Sequence, residues 1–370
     1  MKEKISSLVT AIKNKQELLL SKKVTAGFDG FVDTIVRVIK NKEDKNKPEF
    51  FNTTNDFGKY ITEKSGSSFS LEYEEINTKL GGNMPITSNA LARMGIRVNC
   101  VGALGYPQVH PVFNNLSSNC KPYSFTNPGI AVAYEFTDGK IILSQMQELN
   151  RLEWEELKNI IGIDTLINLY KESDLLGIFN WSEIDTSTNI WKGILTDVLP
   201  YYKRAGEKQT VFFDLSDCSK RSDEAIKEML SLIKEFSNYR KVILSVNKNE
   251  FRCISEVLFG RETEYSFENN GSKIYERTGV DILLLHSSKE TIILSKNQSC
   301  KANSFFVTDL VISTGAGDNF NAGFITAQLL GLDLESSLIF ANAMAAIYIQ
   351  SGISAEMKDV INFLESKQSN

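Results

Sequence analysis

The chain has 370 residues, 42% of them apolar, enough to bury a large core; this excludes a disordered chain and suits one big α/β domain or two smaller ones. Its 41 basic residues against 46 acidic give a net charge of −5, which removes any electrostatic basis for general attraction to nucleic acid or acidic lipid and makes a small-molecule ligand the default. Five cysteines (Cys100, Cys120, Cys218, Cys253 and Cys300) lie far apart without a CxxC pair, so neither a disulfide framework nor a zinc knuckle is signalled, and a reducing cytoplasm fits.

The opening stretch, "MKEKISSLVTAIKNKQELLL", places Ile5, Leu8 and Ile12 at helical spacing between charges and lacks the continuous apolar core of a signal peptide. No segment is long and apolar enough to span a bilayer. Short β-rich apolar runs follow at 24–28, 98–104, 174–180, 210–215, 241–247 and 280–286. Most are separated by helical patterns such as "SDEAIKEMLSLIKEF" at 222–236, the alternation of βαβ units around a parallel sheet. Nearly continuous apolar runs predict strands buried on both faces.

Two stretches break this rhythm. Residues 41–79 are polar and charged, with scattered aromatics (Phe50, Phe51, Phe57, Phe69), and "GIAVAYEFTDGKIILSQ" at 129–145 reads as a β-hairpin whose Asp138-Gly139 supplies the positive φ angles of a tight turn. A hairpin outside a parallel sheet is either a lid over a ligand or a solvent-exposed decoration.

Near the carboxyl end, "SFFVTDLVI" at 304–312 has extended character, and the run from Phe320 through Phe324 and Ala327 is helical, ending near Gly331. Gly315-Ala316-Gly317 therefore sits at a helix start, where unpaired N–H groups and the positive dipole end favour a phosphate. Asp318 in that first turn is either a dipole-favourable charge or a base for a hydroxyl attacking the bound phosphoryl group. GxxxxGK[ST] is absent and GxGxxG is broken by Phe320, which argues against the P-loop and the dinucleotide fingerprint.

The stretch "ISTGAGD" at 312–318 resembles the second signature, approximately D-T-x-G-A-G-D, of the ribokinase (PfkB) family of carbohydrate and nucleoside kinases. "GGNMPITSNALARMG" at 81–95 has the frame of that family's first signature, and "AGFDGFVDTIV" at 26–36 looks like its first strand and substrate-gripping aspartate. "VNKNE" at 246–250 is similar to its N-x-x-E motif, and "FANAMAAIYIQSGIS" at 340–354 resembles the small-residue helix beside the adenine. Each segment also has an ordinary reading: a Gly-Gly entry to a helix, an Asp turn, an Asn cap followed by Glu, a close helix-packing face.

The resemblance, from about residue 24 to 355, implies a doubly wound, mostly parallel α/β sheet flanked by helices with a small β-sheet lid. One domain would cover 1–370, its discontinuous lid drawn from about 34–80 and 121–146 and able to serve as a homodimer surface. The implied function is ATP-dependent phosphorylation of a sugar-like hydroxyl with Mg²⁺; the alternatives are a nucleoside kinase or a catalytically silent sugar- or nucleotide-binding protein. Asp318 would be the base, with Gly315, Ala316 and Gly317 as the anion hole. Asp33, Gly81, Gly82 and Asn83 would hold the sugar. Asn247, Ser287, Thr314 and Asn342 would hold the nucleotide, and Asn247 and Glu250 would hold Mg²⁺ through water. Asp29 is an additional acid without an implied role.

Departures from the family pattern carry their own expectations. Ile312 stands where many members have an Asp associated with a monovalent cation, which speaks against potassium dependence. Ser287 and Glu290 occupy usual glycine positions in "LHSSKET", and Ile86 replaces a usual substrate-side Asn. His286 reads as a strand-end residue rather than a ligand, and Trp181 either lines the pocket or, the preferred reading, packs a helix.

Overall fold

The computed structural model describes residues 2–42, 47–201, 209–261, 265–308 and 310–369. Residues 43–46, part of the polar stretch at 41–79, and Asp309, part of the run at 304–312, lie outside the described residues. Among those described there are fourteen strands: β1 (Lys23–Phe28), β2 (Phe31–Asn41), β3 (Glu49–Phe50), β4 (Tyr73–Gly81), β5 (Arg97–Gly102), β6 (Cys120–Ser124) and β7 (Gly129–Phe136). The second half holds β8 (Gly139–Gln145), β9 (Leu175–Ile178), β10 (Thr210–Asp214), β11 (Lys241–Asn247), β12 (Ile282–His286), β13 (Glu290–Ser295) and β14 (Ser299–Asn303).

Nine of these form one sheet in the order β14-β13-β12-β11-β10-β9-β1-β5-β6. All neighbours from β12 to β6 run parallel, and β13 and β14 close one edge antiparallel. Alternate side chains go to opposite faces. Val211 and Phe213 join a core with the helices Asp223–Phe236 and Lys248–Phe259, through Ile233, Phe236 and Ile254. Phe212 and Ile243 join the other core, with the helices Lys2–Lys15, Ala316–Leu329 and Leu334–Ser351 through Ile5, Phe324 and Phe340. Two-sided burial is why the strands read as unbroken apolar runs, each fully buried large side chain contributing roughly 1.5–3 kcal/mol.

The smaller sheet has β2 at its centre, paired with β4, β7 and, at its far end, β3; β8 completes the hairpin with β7. Its own small core holds Val38, Phe51 and Phe136, with Phe57 and Tyr60 of an inserted helix, Thr54–Glu63, packed on them. The Phe51 ring lies 5.3 Å from both Phe57 and Tyr60, so Phe51, Phe57 and Tyr60 of the polar stretch are core rather than scattered.

Three sequence expectations change. Cys120–Ser124 pairs with β5 in the large sheet, so the second small-sheet segment begins at Gly129, not near 121. The hairpin closes through Thr137 and Asp138 with neither Asp138 nor Gly139 at positive φ; Asp138 instead accepts from Thr54 N at 2.8 Å and Thr54 Oγ1 at 2.9 Å, tying the turn to the inserted helix. The described part of 304–312 forms no strand: the antiparallel edge ends at Asn303, and the backbone then runs irregularly over the end of the helix Leu334–Ser351, with Val311 N and Ile312 N both donating to Ile349 O.

Candidate active site

β1 lies where the strand order reverses, between β9 and β5, and a crevice opens beyond the carboxyl ends of strands at such a point. Asp29 follows β1 directly and is fully buried. Its carboxylate accepts from Asn83 N at 2.7 Å, Met84 N at 2.8 Å and Asn180 Nδ2 at 2.7 Å. The first two donors are opening amides of the helix Asn83–Arg93, so Asp29 supplies the anion that this helix tip attracts. Burial nevertheless pushes the Asp29 carboxyl up to about 6, against those bonds.

The paired glycines admit carboxylates of the chain itself. A Cβ at Gly81 would stand 2.3 Å from Asp33 Oδ2, and one at Gly82, whose φ is +93°, would stand 2.8 Å from Asp29 Oδ2. Asp33 is half-buried opposite Lys79 across β2 and β4; burial raises its pKa and the Lys79 charge offsets this.

A second buried acid, Asp214, ends β10. Its Oδ1 accepts from Asn83 Nδ2 at 3.2 Å and its Oδ2 from Asn321 Nδ2 at 2.7 Å, while Asn321 Oδ1 accepts from Ser245 Oγ at 2.8 Å. A carboxylate only accepts, so both amides turn their NH₂ toward Asp214, and Asn83 keeps its second N–H and its carbonyl oxygen for other partners. Burial, then the neighbouring Asp29 charge, raises the Asp214 pKa.

Gly315, at φ +95°, precedes the helix Ala316–Leu329 without a side-chain cap. Ala316 N donates to Ser313 O at 3.2 Å and Asn319 N to Gly315 O at 3.1 Å. The N–H groups of Gly315, Gly317 and Asp318 have no hydrogen-bond partner among the described residues. Of the three expected anion-hole residues, Gly315 and Gly317 thus offer bare amides, Ala316 is partly engaged, and Asp318 adds one. Asp318 is 8% exposed and its Oδ1 is buried without a partner in good hydrogen-bond geometry. Burial raises its pKa well above the carboxylate range, the charges of Asp214 and Asp29 add to that, and the Asn83 amide and Thr87 hydroxyl beside it act in the opposite direction.

On the far side of Gly317 lies a cavity of about 690 Å³, lined by Asn247, Ser287, Phe305, Phe306, Leu310, Ala316, Gly317, Asn342 and Ala346 among others. Asn342 donates to Thr291 Oγ1 at 3.1 Å. Ser287 closes the turn between β12 and β13, its hydroxyl donating to Glu290 O and accepting from Lys289 N and Glu290 N, so that turn needs no glycine. Thr314 does not line the cavity: its side chain is exposed and its carbonyl accepts from Tyr348 Oη at 3.1 Å. His286 stacks on Phe320 at the cavity wall, and burial pushes its pKa down to about 4, so it is neutral at pH 7. Trp181 is core, with Nε1 donating to Thr188 Oγ1.

Asn247 and Glu250 form a capping box: Glu250 Oε2 accepts from Asn247 N at 2.9 Å and Oε1 from Asn247 Nδ2 at 2.6 Å, while Asn247 Oδ1 accepts from Asn249 N and Glu250 N. Glu250 is buried, and burial plus the Asp214 charge raise its pKa strongly. No group of three or more His, Cys, Asp or Glu side chains is arranged to hold a metal among the described residues. Asn247 lines the cavity and Glu250 is buried beside it in the capping box, a pair of oxygen-bearing residues that would suit a hydrated Mg²⁺ held through water rather than a fully coordinated ion.

Sequence reading missed Asp214, Asn180, Asn321 and Tyr348. Asn180 had a local signal only in the structure: φ +59° in a non-glycine residue, with Oδ1 buried and unpartnered. Asn180 Oδ1, on the residue that donates to Asp29, and Asp318 Oδ1 are buried without partners among the described residues, which suits a polar ligand at this edge.

Comparison with known proteins agrees with this geometry. A family model described as prokaryotic ketohexokinase matches residues 4–367. A ketohexokinase of Haloferax volcanii is 25% identical over 338 residues, covering 89% of this chain and 87% of that one. A nucleoside kinase of Methanocaldococcus jannaschii is 31% identical over 126 residues, 34% of this chain and 37% of that one. Among solved structures, an Arabidopsis thaliana ribokinase complexed with ribose and ATP superposes with a TM-score of 0.64 at 19% identity, over 93% of this chain and 98% of that one. A putative ribokinase II of E. coli in complex with ATP and Mg²⁺ gives 0.63 at 15%, over 93% and 99%. The ribokinase-like fold, the crevice at the strand ends and a family match over nearly the whole length place this chain in the prokaryotic ketohexokinase family, carbohydrate kinases of the ribokinase (PfkB) type that transfer a phosphoryl group to an alcohol.

Proposed function

We propose that this chain transfers the γ-phosphoryl group of ATP to a hydroxyl of a ketohexose. The observation that carries the reading is the orphaned Oδ1 of Asp318, buried beside the bare amides of Gly317 and of Asp318 itself. A sugar held against Asp33, Asn83, Gly81 and Gly82 would present its hydroxyl to that oxygen, with the nucleotide in the cavity on the other side. Asp318 takes the hydroxyl proton; the new O–P bond forms in line as the bond from the γ-phosphorus to the departing ADP oxygen breaks. Charge on the moving phosphoryl oxygens is met by the N–H groups of Gly315, Gly317 and Asp318, which are already oriented. Mg²⁺, when bound, neutralises charge across the nucleotide phosphates; Asn247 and Glu250 are the residues that would hold it through water.

The raised pKa of Asp318 suits a base that must take a proton from an alcohol, since a carboxylate with its ordinary pKa would be a weaker acceptor. The smaller sheet, which leaves the large one directly after β1 and carries Asp33 and Gly81, is read as the lid that excludes water and so prevents wasteful hydrolysis of ATP. One domain, 1–370, with lid segments near 34–80 and 129–146 fits this reading. Potassium independence fits as well: Ile312 supplies no carboxylate, and its N–H is bonded to Ile349 O.

The test is ADP release by the purified chain over ketohexoses, aldohexoses and nucleosides, in potassium and again in choline. Turnover confined to a ketohexose, equal in both salts, is expected. Turnover of adenosine or inosine alone would establish the nucleoside kinase instead, and no turnover of any acceptor would leave a binding protein.

A further inference from the structure

We propose that Tyr348 is a positioning residue for the anion hole, its hydroxyl fixing the peptide that joins Thr314 to Gly315. The inference rests on the reading of that turn as the phosphoryl site. Tyr348 lies near the end of the helix Leu334–Ser351, is 6% exposed, and donates from Oη to Thr314 O at 3.1 Å. Its ring lies directly against the turn: a Cβ at Gly315 would stand 2.7 Å from Oη and 3.1 Å from Cε1. The same helix end holds the residues just before, through Ile349 O and the N–H groups of Val311 and Ile312.

A peptide unit is planar and, at this bond, trans, so its C=O and N–H point in opposite directions. Holding the Thr314 carbonyl toward Tyr348 therefore directs the Gly315 N–H away from it, and that N–H has no partner in the chain. Glycine at φ +95° has little intrinsic preference for this peptide orientation, so a flip would be easy without an external hold. The hold is a hydrogen bond that does not itself touch the substrate. It is also permanent at physiological pH: burial, with the nearby charges of Asp318 and Asp33, pushes the phenol up to about 12, so the hydroxyl stays a donor.

The experiment compares wild type, Tyr348→Phe, and a chain carrying 3,5-difluorotyrosine at 348, whose phenol ionises at markedly lower pH with almost no change in volume. In Tyr348→Phe, kcat is expected to fall roughly 10–100-fold, with KM for the ketohexose within about threefold and thermal midpoint nearly unchanged, because a misdirected amide weakens the transition state more than the ground state. In the difluorotyrosine chain, kcat should show a new loss at alkaline pH as the donor ionises. A Tyr348→Phe kcat within twofold of an active wild type, or an unaltered alkaline profile in the difluorotyrosine chain, would overturn the assignment while leaving the kinase reading intact. A wild type inactive with every acceptor would overturn both. Should Tyr348→Phe fail to fold, the isosteric difluorotyrosine chain decides.

Discussion

The two sides of Asp318 are built on different principles. On the side proposed for the sugar, Asp29, Asp214, Asn83, Asn180 and Asn321 make a buried or half-buried network in which acids turn amides to fixed orientations, and half-buried Asp33 stands against Gly81. On the side proposed for the nucleotide, the cavity is walled by Phe305, Phe306, Leu310, Ala345, Ala346 and Ile349, and Phe306 is 85% exposed. A sugar differs from its isomers only by hydroxyl positions, so discrimination needs fixed acceptors that are left unpaired by the wrong isomer. A nucleotide offers a flat base to apolar walls and an anion to main-chain amides, and neither needs an ion pair from the protein.

The largest expected effect tests the junction of the two sides. Asp318→Asn should lower kcat by about 10²–10⁴, the range for losing a general base, with KM for the sugar nearly unchanged. In wild type the acid limb of kcat/KM should lie above the ordinary carboxylate range, because a raised pKa leaves the base protonated until higher pH. Equal activity in the Asn variant would remove Asp318 from the chemistry and with it the contrast between the sides.

A smaller effect sharpens the nucleotide side. Asn342→Ala removes two amide hydrogen bonds at the cavity wall, to Thr291 Oγ1 and to Asn303 O, and by loosening that wall should raise KM for ATP about 2–10-fold, while KM for the sugar stays put. Steady-state titration of each substrate separates the two. A change on the sugar side instead would show that the two halves are coupled through β13.

The effect furthest from catalysis concerns the buried acids and is read as stability. Asp29 goes from an ordinary value of 3.8 to about 6 on folding, so between those limits the folded chain binds more protons than the unfolded one. Stability should therefore fall as pH rises from about 4 to 6, by on the order of 2–3 kcal/mol from Asp29, and level off above. Thermal midpoints measured across that window, compared with Asp29→Asn, check the sign: the variant should have a flatter profile. A wild-type midpoint that rises from pH 4 to 6 would show that the acids of the sugar side are stabilised as anions instead.

Much of the scaffold was legible because burial leaves a periodic mark. The runs at 24–28 and 241–247 became β1 and β11 nearly residue for residue, and the helix at 222–236 is capped by Ser222 as its sequence suggests. The stretch 41–79 was not legible as structure, since the core of the smaller sheet is assembled from Val38, Phe51, Phe57 and Phe136, whose partners come from separate segments. The same limit applies to the site. Gly315, Gly317 and Asp318 are adjacent in sequence, so local pattern reveals them; Asp214 and Tyr348 meet that turn only through β10 and the helix Leu334–Ser351.

The sequence alone determined the alternation of strand and helix, the helix tip with its glycines and acid, and the absence of a continuous apolar span, because each depends on neighbours within a few residues. Tertiary structure decided which acids are buried together, which way the amides of Asn83 and Asn321 turn, and what holds the Thr314 carbonyl. Those features depend on charge and hydrogen-bond geometry between strand ends far apart in the chain, and folding is the step that sets those distances.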